Sequence, residues 1–210
     1  MRAIFACLIM GTAGSASGGV IWFQNREIPI ATTFDGVAVN LENGANSTDR
    51  AGLPGGDANF VLAGIGITND ADQTAAGASW QPVRVGNVNT DAVRNLPLGQ
   101  AVGIGAIDAE GATLSYAAGF GGSGDLNSHF PEFTAGLPGY IGFSLVLNNS
   151  NLVYGWMRVT LRDDNTAGGF IHEWAFEDDG GPIVVGVIPE PGSSVLALLA
   201  LGGLFLRRKR

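Results

Sequence analysis

Three long runs of alternating residues in the last third of the chain constrain the fold more than any other feature. They read YIGFSLVL, LVYGWMRVTL and FIHEWAFE, and they are separated by NNSN and RDDNTAGG. β-Branched and aromatic residues favour strands, whereas clusters of Asn, Asp and Gly favour turns. The pattern predicts a three-stranded antiparallel meander.

Alternation also predicts the face on which each side chain lies, because successive residues of a strand point to opposite sides of the sheet. In the second run, the residues that we expect to face the core are Val153, Gly155, Met157, Val159 and Leu161, and those on the other face are Tyr154, Trp156, Arg158 and Thr160. In the third run, one face carries His172, Trp174 and Phe176, and the other carries Ile171, Glu173, Ala175 and Glu177. We expect the aromatic residues of the two strands to be cross-strand neighbours on one side of the sheet.

Shorter runs of the same kind precede the meander. They predict strands at 20–23, 28–32, 37–41, 60–67, 82–85, 101–107 and 113–120. Neither helical periodicity nor a repeat period is present, and strands of the first third must pair with or pack on those of the last. These features favour two packed sheets over one open sheet. The predicted fold class is all-β, a single antiparallel β-sandwich of the jelly-roll type that occupies residues 18–187.

The start of the chain predicts export. A charged residue, the apolar run AIFACLIM and the small residues GTAGSASGG follow Met1 in that order, which is typical of a secretory signal peptide. We place the signal peptide at residues 1–17, with cleavage after Ser17. Cys7 is the single cysteine of the chain, so a mature protein without it has no disulfide, thiolate metal site or cysteine nucleophile.

The predicted body is strongly acidic. Residues 18–187 contain 18 Asp and Glu residues against six Arg residues and no Lys, a net charge of minus 12. Such a surface repels nucleic acid and anionic lipid, so neither is expected as a partner. The charge has two interpretations that composition does not separate, namely solubility in salt and attraction of divalent cations.

Calcium is the one cofactor that the sequence offers, and we expect no other. The loops TNDADQT, RDDNTAGG and EDDGG carry oxygen ligands of the kind that calcium prefers, and the candidate ligands are Asp70, Asp72, Asp163 and Asp164. None of these loops has the spacing of an EF-hand. Turn formation enriches the same residue types, so the favoured interpretation is that they are structural turns.

Few residues are placed to carry out catalysis. His129 and His172 are the only histidines, neither has metal-ligand spacing to a second one, and no GxSxG motif is present. Glu173 and Glu177 lie four positions apart on one predicted strand, about 13 Å at about 3.3 Å per residue, which exceeds the carboxylate separation of glycosidases. We therefore expect no enzyme and no catalytic residues. Trp80, Trp156 and Trp174 are candidates for a sugar-stacking platform, although a tryptophan in a strand is more often part of the core.

The end of the sequence carries a three-part motif. It consists of IPEP at 188–191, an apolar segment of 14 residues from Ser193 to Leu206, and RRKR. As a helix this segment is about 21 Å long, whereas the hydrocarbon core of a bilayer is about 30 Å thick. It is marginal as a permanent anchor, and the four positive charges favour retention of the end of the chain in the cytoplasm.

This tail, 188–210, resembles the PEP-CTERM sorting signal. The residues that carry the resemblance are Pro189, Glu190, Pro191, Arg207, Arg208, Lys209 and Arg210. The resemblance implies that an exosortase, a membrane-embedded transpeptidase-like enzyme, recognises a transiently inserted hydrophobic sorting helix and cleaves near the PEP residues. The blocks YGWMRV and IHEWAFED also resemble a recurrent group of such proteins that has no assigned activity.

The predicted function follows from these parts together. We expect an exported protein of the cell surface or extracellular matrix, sorted by the secretion machinery and an exosortase. The body is expected to be a structural or binding module associated with exopolysaccharide in a biofilm matrix. The alternative is a secreted carbohydrate-active enzyme, which requires carboxylates that converge from different strands.

Overall fold

Among the residues that the structure describes, regular structure is almost entirely β. The computed structural model describes residues 19–49, 53, 56–64, 66–69, 80–86, 91–118, 121–122, 132–161 and 168–188. The described strands are β1 Val20–Phe23, β2 Ile28–Pro29, β3 Val37–Val39, β4 Asn46–Ser47, β5 Ala58–Val61, β6 Gly66–Asn69, β7 Trp80–Arg84, β8 Ala101–Val102, β9 Ser115–Tyr116, β10 Gly121–Gly122, β11 Pro138–Val146, β12 Leu152–Leu161, β13 Gly169–Glu177 and β14 Ile183–Val184. The predicted signal peptide and the tail from Pro189 onwards lie outside the described residues.

These strands form two sheets and a ribbon, and every strand pairing is antiparallel. The large sheet has the order β1-β13-β12-β11-β7-β9, and β2 also pairs with β13. The small sheet has the order β10-β6-β5-β3-β4, and the ribbon consists of β14 and β8. The predicted meander is confirmed as β11, β12 and β13, the three longest strands, at the centre of the large sheet.

An apolar core lies between the two sheets, which confirms the predicted antiparallel β-sandwich. Val153, Met157 and Val159 are fully buried and belong to one cluster with Val39 and Phe60 of the small sheet. The expected inward set of β12 is therefore correct. We call this cluster the inner core, and the side of the large sheet that it covers the inner face.

A second core covers part of the opposite, outer face of the large sheet. This outer core contains buried residues of the sheet and of the segments that cross it, namely Val83, Leu96, Val102, Leu114, Tyr154, Trp156, Ala175, Ile183 and Val185. A Cβ on Gly142 would lie 2.5 Å from Cδ1 of Leu96, so this glycine lets the covering segment approach the sheet closely. The ribbon and its loops thus form a third layer, which the sequence did not predict.

A β-bulge changes the predicted faces of β13. Met157 pairs with Trp174, but two residues further along β12, Val159 pairs with Ile171, and the register shifts between Arg158 and Val159. An extra residue in one strand places both of the flanking apolar side chains on the same face. Ile171, Trp174 and Phe176 accordingly all lie in the inner core.

Two of the predictions for these faces are therefore wrong. Ile171 shares the face of Trp174 instead of opposing it, whereas His172 lies beside Thr160 on the outer face. Trp156 belongs to the outer core and Trp174 to the inner core, so the aromatic residues of the two strands are not neighbours on one side of the sheet. Strict alternation contains no information on where a bulge occurs.

The predicted and the observed limits of the strands differ most for the short strands. The run predicted as one strand at 60–67 is a hairpin, in which β5 and β6 are joined by a 3-10 turn at Leu62–Gly64 with φ of 51° and 58° at Leu62 and Ala63. The runs 101–107 and 113–120 form strands of only two residues each, β8 and β9. Strands β4, β10 and β14 were not predicted.

Candidate functional site

Beside the outer core, four side chains lie in a row across four strands of the outer face. We call Trp22, Glu173, Arg158 and Tyr140 the outer row, contributed by β1, β13, β12 and β11. Trp22 Nε1 donates to Glu173 Oε2 at 3.2 Å, and Arg158 Nη1 donates to Glu173 Oε1 at 3.4 Å. Arg158 and Tyr140 are direct partners in the ladder. The row thus joins an aromatic ring, a carboxylate, a guanidinium and a phenol.

The outer row is reachable from solvent. Trp22 is 40% exposed, and the side chains of Arg158 and Glu173 are 36% and 19% exposed. Because the carboxylate accepts from both neighbours, its position is fixed beside the partly exposed Trp22 side chain. Fixed polar groups beside an exposed aromatic ring are suited to binding a ligand that has both apolar and hydroxyl-bearing faces.

A second polar chain adjoins the outer row at the bulge. His172 Nε2 and Thr160 Oγ1 are 2.8 Å apart, and His172 Nδ1 lies 2.9 Å from Glu27 Oε1. The His172 ring stacks on the half-exposed ring of Phe170, with 6.4 Å between centroids. The bulge places His172 and Glu173 next to each other on the outer face, so it brings the row and the chain together.

The turn between β1 and β2 directs Glu27 towards this chain. Asn25 and Glu27 have φ of 53° and 45°, a left-handed conformation that is uncommon for residues other than glycine. The backbone N–H of Arg26, between them, donates to the carbonyl of His172 at 2.8 Å. This irregular turn therefore holds a carboxylate beside the imidazole.

The order of carboxylate, imidazole and hydroxyl matches that of a catalytic triad, but the surroundings differ. Thr160 pairs with Pro138 on one side and with Phe170 on the other. Backbone N–H groups inside a ladder are used for strand pairing, whereas an oxyanion hole needs them free. The hydrogen-bonded group of Glu27, His172 and Thr160 is therefore better suited to hydrogen bonding with a polar ligand than to acyl transfer.

Most of the candidate binding and catalytic residues that the sequence suggested do not lie together in the structure. Trp80, Trp156 and Trp174 are buried, so none of them is a sugar-stacking platform. Glu173 lies in the outer row, whereas Glu177 pairs with Val20 near the other end of β13. The two glutamates are therefore not brought together.

Residues that sequence reasoning missed are Trp22, Glu27, Tyr140, Thr160 and Phe170. Trp22 lies in a correctly predicted strand, but its exposure depends on how that strand packs. Glu27 is 145 positions from His172, and no local pattern links residues so far apart. A signal was present only in the polar residues Arg158 and Thr160, which interrupt an otherwise apolar strand.

Of the calcium candidates, the EDDGG loop, the first two residues of TNDADQT and the last two of RDDNTAGG are described. In EDDGG, Asp178 Oδ1 accepts from the Gly19 N–H at 2.7 Å, and Asp179 Oδ1 accepts from the Gly181 N–H at 2.8 Å. Within the described part of the chain, no three His, Cys, Asp or Glu residues form a group that could hold a metal. Asp70, Asp72, Asp163, Asp164 and His129 lie outside the described residues.

The body remains folded as far as the start of the tail. Val185 is buried, its N–H donates to the Gln100 carbonyl at 2.9 Å, and its carbonyl accepts from the Gly99 N–H at 3.1 Å. Ile188 packs against the outer core. Over the described ranges, no helix is long and apolar enough to cross a membrane.

Comparison with known proteins gives one match. The family model of the PEP-CTERM protein-sorting motif matches residues 187–210, which include all the predicted sorting residues. No curated protein and no solved structure matches the chain. The chain therefore carries a PEP-CTERM sorting motif, which indicates an exported, C-terminally sorted protein of the cell surface that is processed by an exosortase.

Proposed function

We propose that the exported body is a non-catalytic module that binds exopolysaccharide in the extracellular matrix. The observation that carries the proposal is the outer row, in which the half-exposed ring of Trp22 lies beside the hydrogen-bonded Glu173 and Arg158. Sugar rings present C–H groups on one face and hydroxyls around the edge. Trp22 and Phe170 offer apolar surface for the first, and the polar side chains offer hydrogen bonds for the second.

Charge supports a neutral polysaccharide as the ligand. The body has a net charge of minus 12, so it repels a polyanion at long range. Arg158 is the cation of the outer row, and it is paired with Glu173. A polymer rich in hydroxyls and free of carboxylates avoids this repulsion.

The tail supports a route to the matrix by way of the inner membrane. The apolar segment 193–206 inserts there transiently, while RRKR is held on the cytoplasmic side by the cost of moving positive charge across the bilayer. The secretion machinery and the exosortase are the partners in this step. Cleavage near Pro189, Glu190 and Pro191 then releases the body.

Retention of secreted protein on the exopolysaccharide of its native host tests the binding proposal. We expect Trp22→Ala to weaken retention by roughly tenfold, about 1.4 kcal/mol, through loss of the aromatic surface. Phe34→Ala is the matched control, because Phe34 is an exposed aromatic residue, 71% accessible, outside the outer row. Equal retention of wild type and Trp22→Ala would reject the outer row as the binding site.

A secreted carbohydrate-active enzyme is the second candidate, and one observation favours it. Glu27, which precedes β2, is hydrogen-bonded to His172, and Glu173 of β13 is hydrogen-bonded to Arg158. His172 and Glu173 are neighbours on the outer face, so the two carboxylates lie in the same part of it. Two carboxylates from different segments are what glycoside hydrolysis requires. Release of new reducing ends from the polysaccharide, abolished in Glu173→Gln, would establish the enzyme, and its absence in wild-type protein would support the binding module.

A further inference from the structure

An exposed apolar patch surrounds the point at which the chain leaves the body towards its tail. It is formed by the ribbon, by the segments before and after β8, and by the residues that follow β14. Its members, which range from 36% to 87% exposed, are Leu98, Ile104, Ile107, Val184 and Val187. We call these five residues the exit patch. Exposed apolar residues that cluster in this way mark interaction surfaces more often than isolated ones do.

The exit patch is also free of charge. The segments 95–107 and 180–188 contain no Asp, Glu, Lys or Arg, although the body around them is strongly acidic. The first charged side chains beyond the loop, Asp108 and Glu110, share Arg94, whose Nη1 lies 2.6 Å from Asp108 Oδ2 and whose Nη2 lies 2.9 Å from Glu110 Oε2. The patch therefore lacks the charge that elsewhere opposes approach to a lipid surface.

The short connection to the tail limits where a membrane can lie. Ile188 is packed against the outer core, and the apolar segment starts at Ser193. Only residues 189–192 connect the two, so five residue-to-residue steps separate Ile188 from Ser193, and an extended chain spans at most about 18 Å in five steps. A bilayer that holds the apolar segment is therefore within about 18 Å of Ile188, next to Val187 in the exit patch.

We propose that the exit patch docks the body on the membrane in which the tail is inserted, by burying its apolar side chains at the surface of a neutral phospholipid leaflet. The inference rests on the proposed insertion of the tail. A second copy of the chain is a poorer occupant, because two bodies of net charge minus 12 repel each other. The tail itself occupies the patch only if it leaves the bilayer.

Docking has a consequence for processing of the tail. A body seated on the exit patch holds Pro189, Glu190 and Pro191 at the membrane surface, within reach of a membrane-embedded exosortase. A body that tumbles on its connection presents the same residues in many orientations. The exit patch thus acts as a positioning surface for cleavage.

Site-specific fluorescence on the full-length chain tests the docking. In a Cys7→Ser background, a polarity-sensitive label is placed at Ile104→Cys in the patch, at Phe34→Cys as an exposed control, or at Gly202→Cys in the tail. Each protein is reconstituted at one chain per nanodisc of phosphatidylcholine. We expect brominated phosphatidylcholine to quench the labels at 104 and 202 at least about threefold more than the label at 34, because surface docking buries side chains about 5–10 Å into the interface.

The outcomes separate the two proposals. Quenching at 202 without quenching at 104 would overturn the docking and leave tail insertion intact. No quenching at 202 would overturn both. A blue-shifted but unquenched label at 104 would show that another part of the same chain covers the patch, and would also overturn docking on lipid.

Discussion

The two faces of the large sheet are built from the same strands and yet are covered differently. The inner face contributes to the inner core, whose buried apolar residues come from both sheets and from loops, among them Phe133. The outer face is divided between the outer core, which the ribbon and its loops cover, and the outer row, which stays half exposed. What differs is the layer that lies against each face. The inner face makes the fold stable, and the part of the outer face left free by the third layer is available for binding.

A charge in the inner core is expected to have the largest effect. Met157→Asp places a carboxylate in a fully buried position, and the desolvation cost, about 3–5 kcal/mol or more, is a large part of the stability of such a domain. We expect loss of the cooperative thermal transition monitored by circular dichroism. Leu152→Asp is the control, because Leu152 lies on the same strand but is 47% exposed. A melting temperature for Met157→Asp close to that of wild type would mean that the two faces are reversed.

Substitution of one glycine on each face tests how firmly the two faces are packed. A Cβ on Gly155 would overlap the Phe143 ring and lie 2.5 Å from the backbone oxygen of Ala175, whereas a Cβ on Gly142 would meet the side-chain ends of Leu96 and Val102. Because backbone atoms move less readily than side-chain ends, Gly155→Ala should cost about 2–3 kcal/mol and Gly142→Ala about 1 kcal/mol. Denaturant titration measures both. An equal or reversed order would show that the third layer is as rigid as the inner core.

Acid should weaken the third layer through Asp108. The N–H of Ala112, followed by the side chain of Arg94, lowers the pKa of Asp108 below its usual 3.8. A depressed folded-state pKa contributes stability that is present above the unfolded pKa and is lost as the pH falls through the folded pKa. Asp108→Asn should therefore melt at a lower temperature than wild type at pH 6, with the difference shrinking below about pH 4. A difference that does not depend on pH would show that ionisation of Asp108 plays no part.

Glu177 should give the smallest effect, of opposite sign. Burial, followed by repulsion from Asp179 and Asp178, raises the pKa of Glu177. The ionised form is disfavoured in the folded state, so the destabilisation by this group grows as the pH rises from the unfolded pKa through the folded pKa, and the group has no effect below the unfolded pKa. Glu177→Gln should raise the melting temperature slightly at pH 7 and leave it unchanged near pH 3. A lower melting temperature at pH 7 would contradict the proposed repulsion.

The elements that the sequence predicted well are those whose packing follows from their own pattern. Strand β12, which is long and lies in the middle of the meander, was predicted with its observed limits, Leu152–Leu161. The bulge opposite Arg158 was not predicted. The extra residue, His172, changes the face on which its neighbours in β13 lie, but nothing in the residue types of the strand marks its position. Strands β8 and β14 have only two residues each, which is too short for any periodicity to be seen.

The candidate site depends on contacts that one sequence does not encode locally. Trp22 is 151 positions from Glu173, and only the pairing of β1 with β13 brings them together. Prediction succeeded instead at the tail, where the PEP residues, the apolar segment and the basic residues follow one another directly. A contiguous motif is recognised by a processing enzyme as sequence, whereas a binding surface is assembled by the fold.

Mass spectrometry of intact protein recovered from its native host tests the central claim most directly, namely that an exported body folded as far as Ile188 is released from its sorting tail. We expect a mature chain that begins near Gly18 and ends close to residues 188–191. Its mass would lack both the signal peptide and the RRKR end. A product that retains Met1 or Arg210 in most molecules would contradict export with processing at the sorting motif.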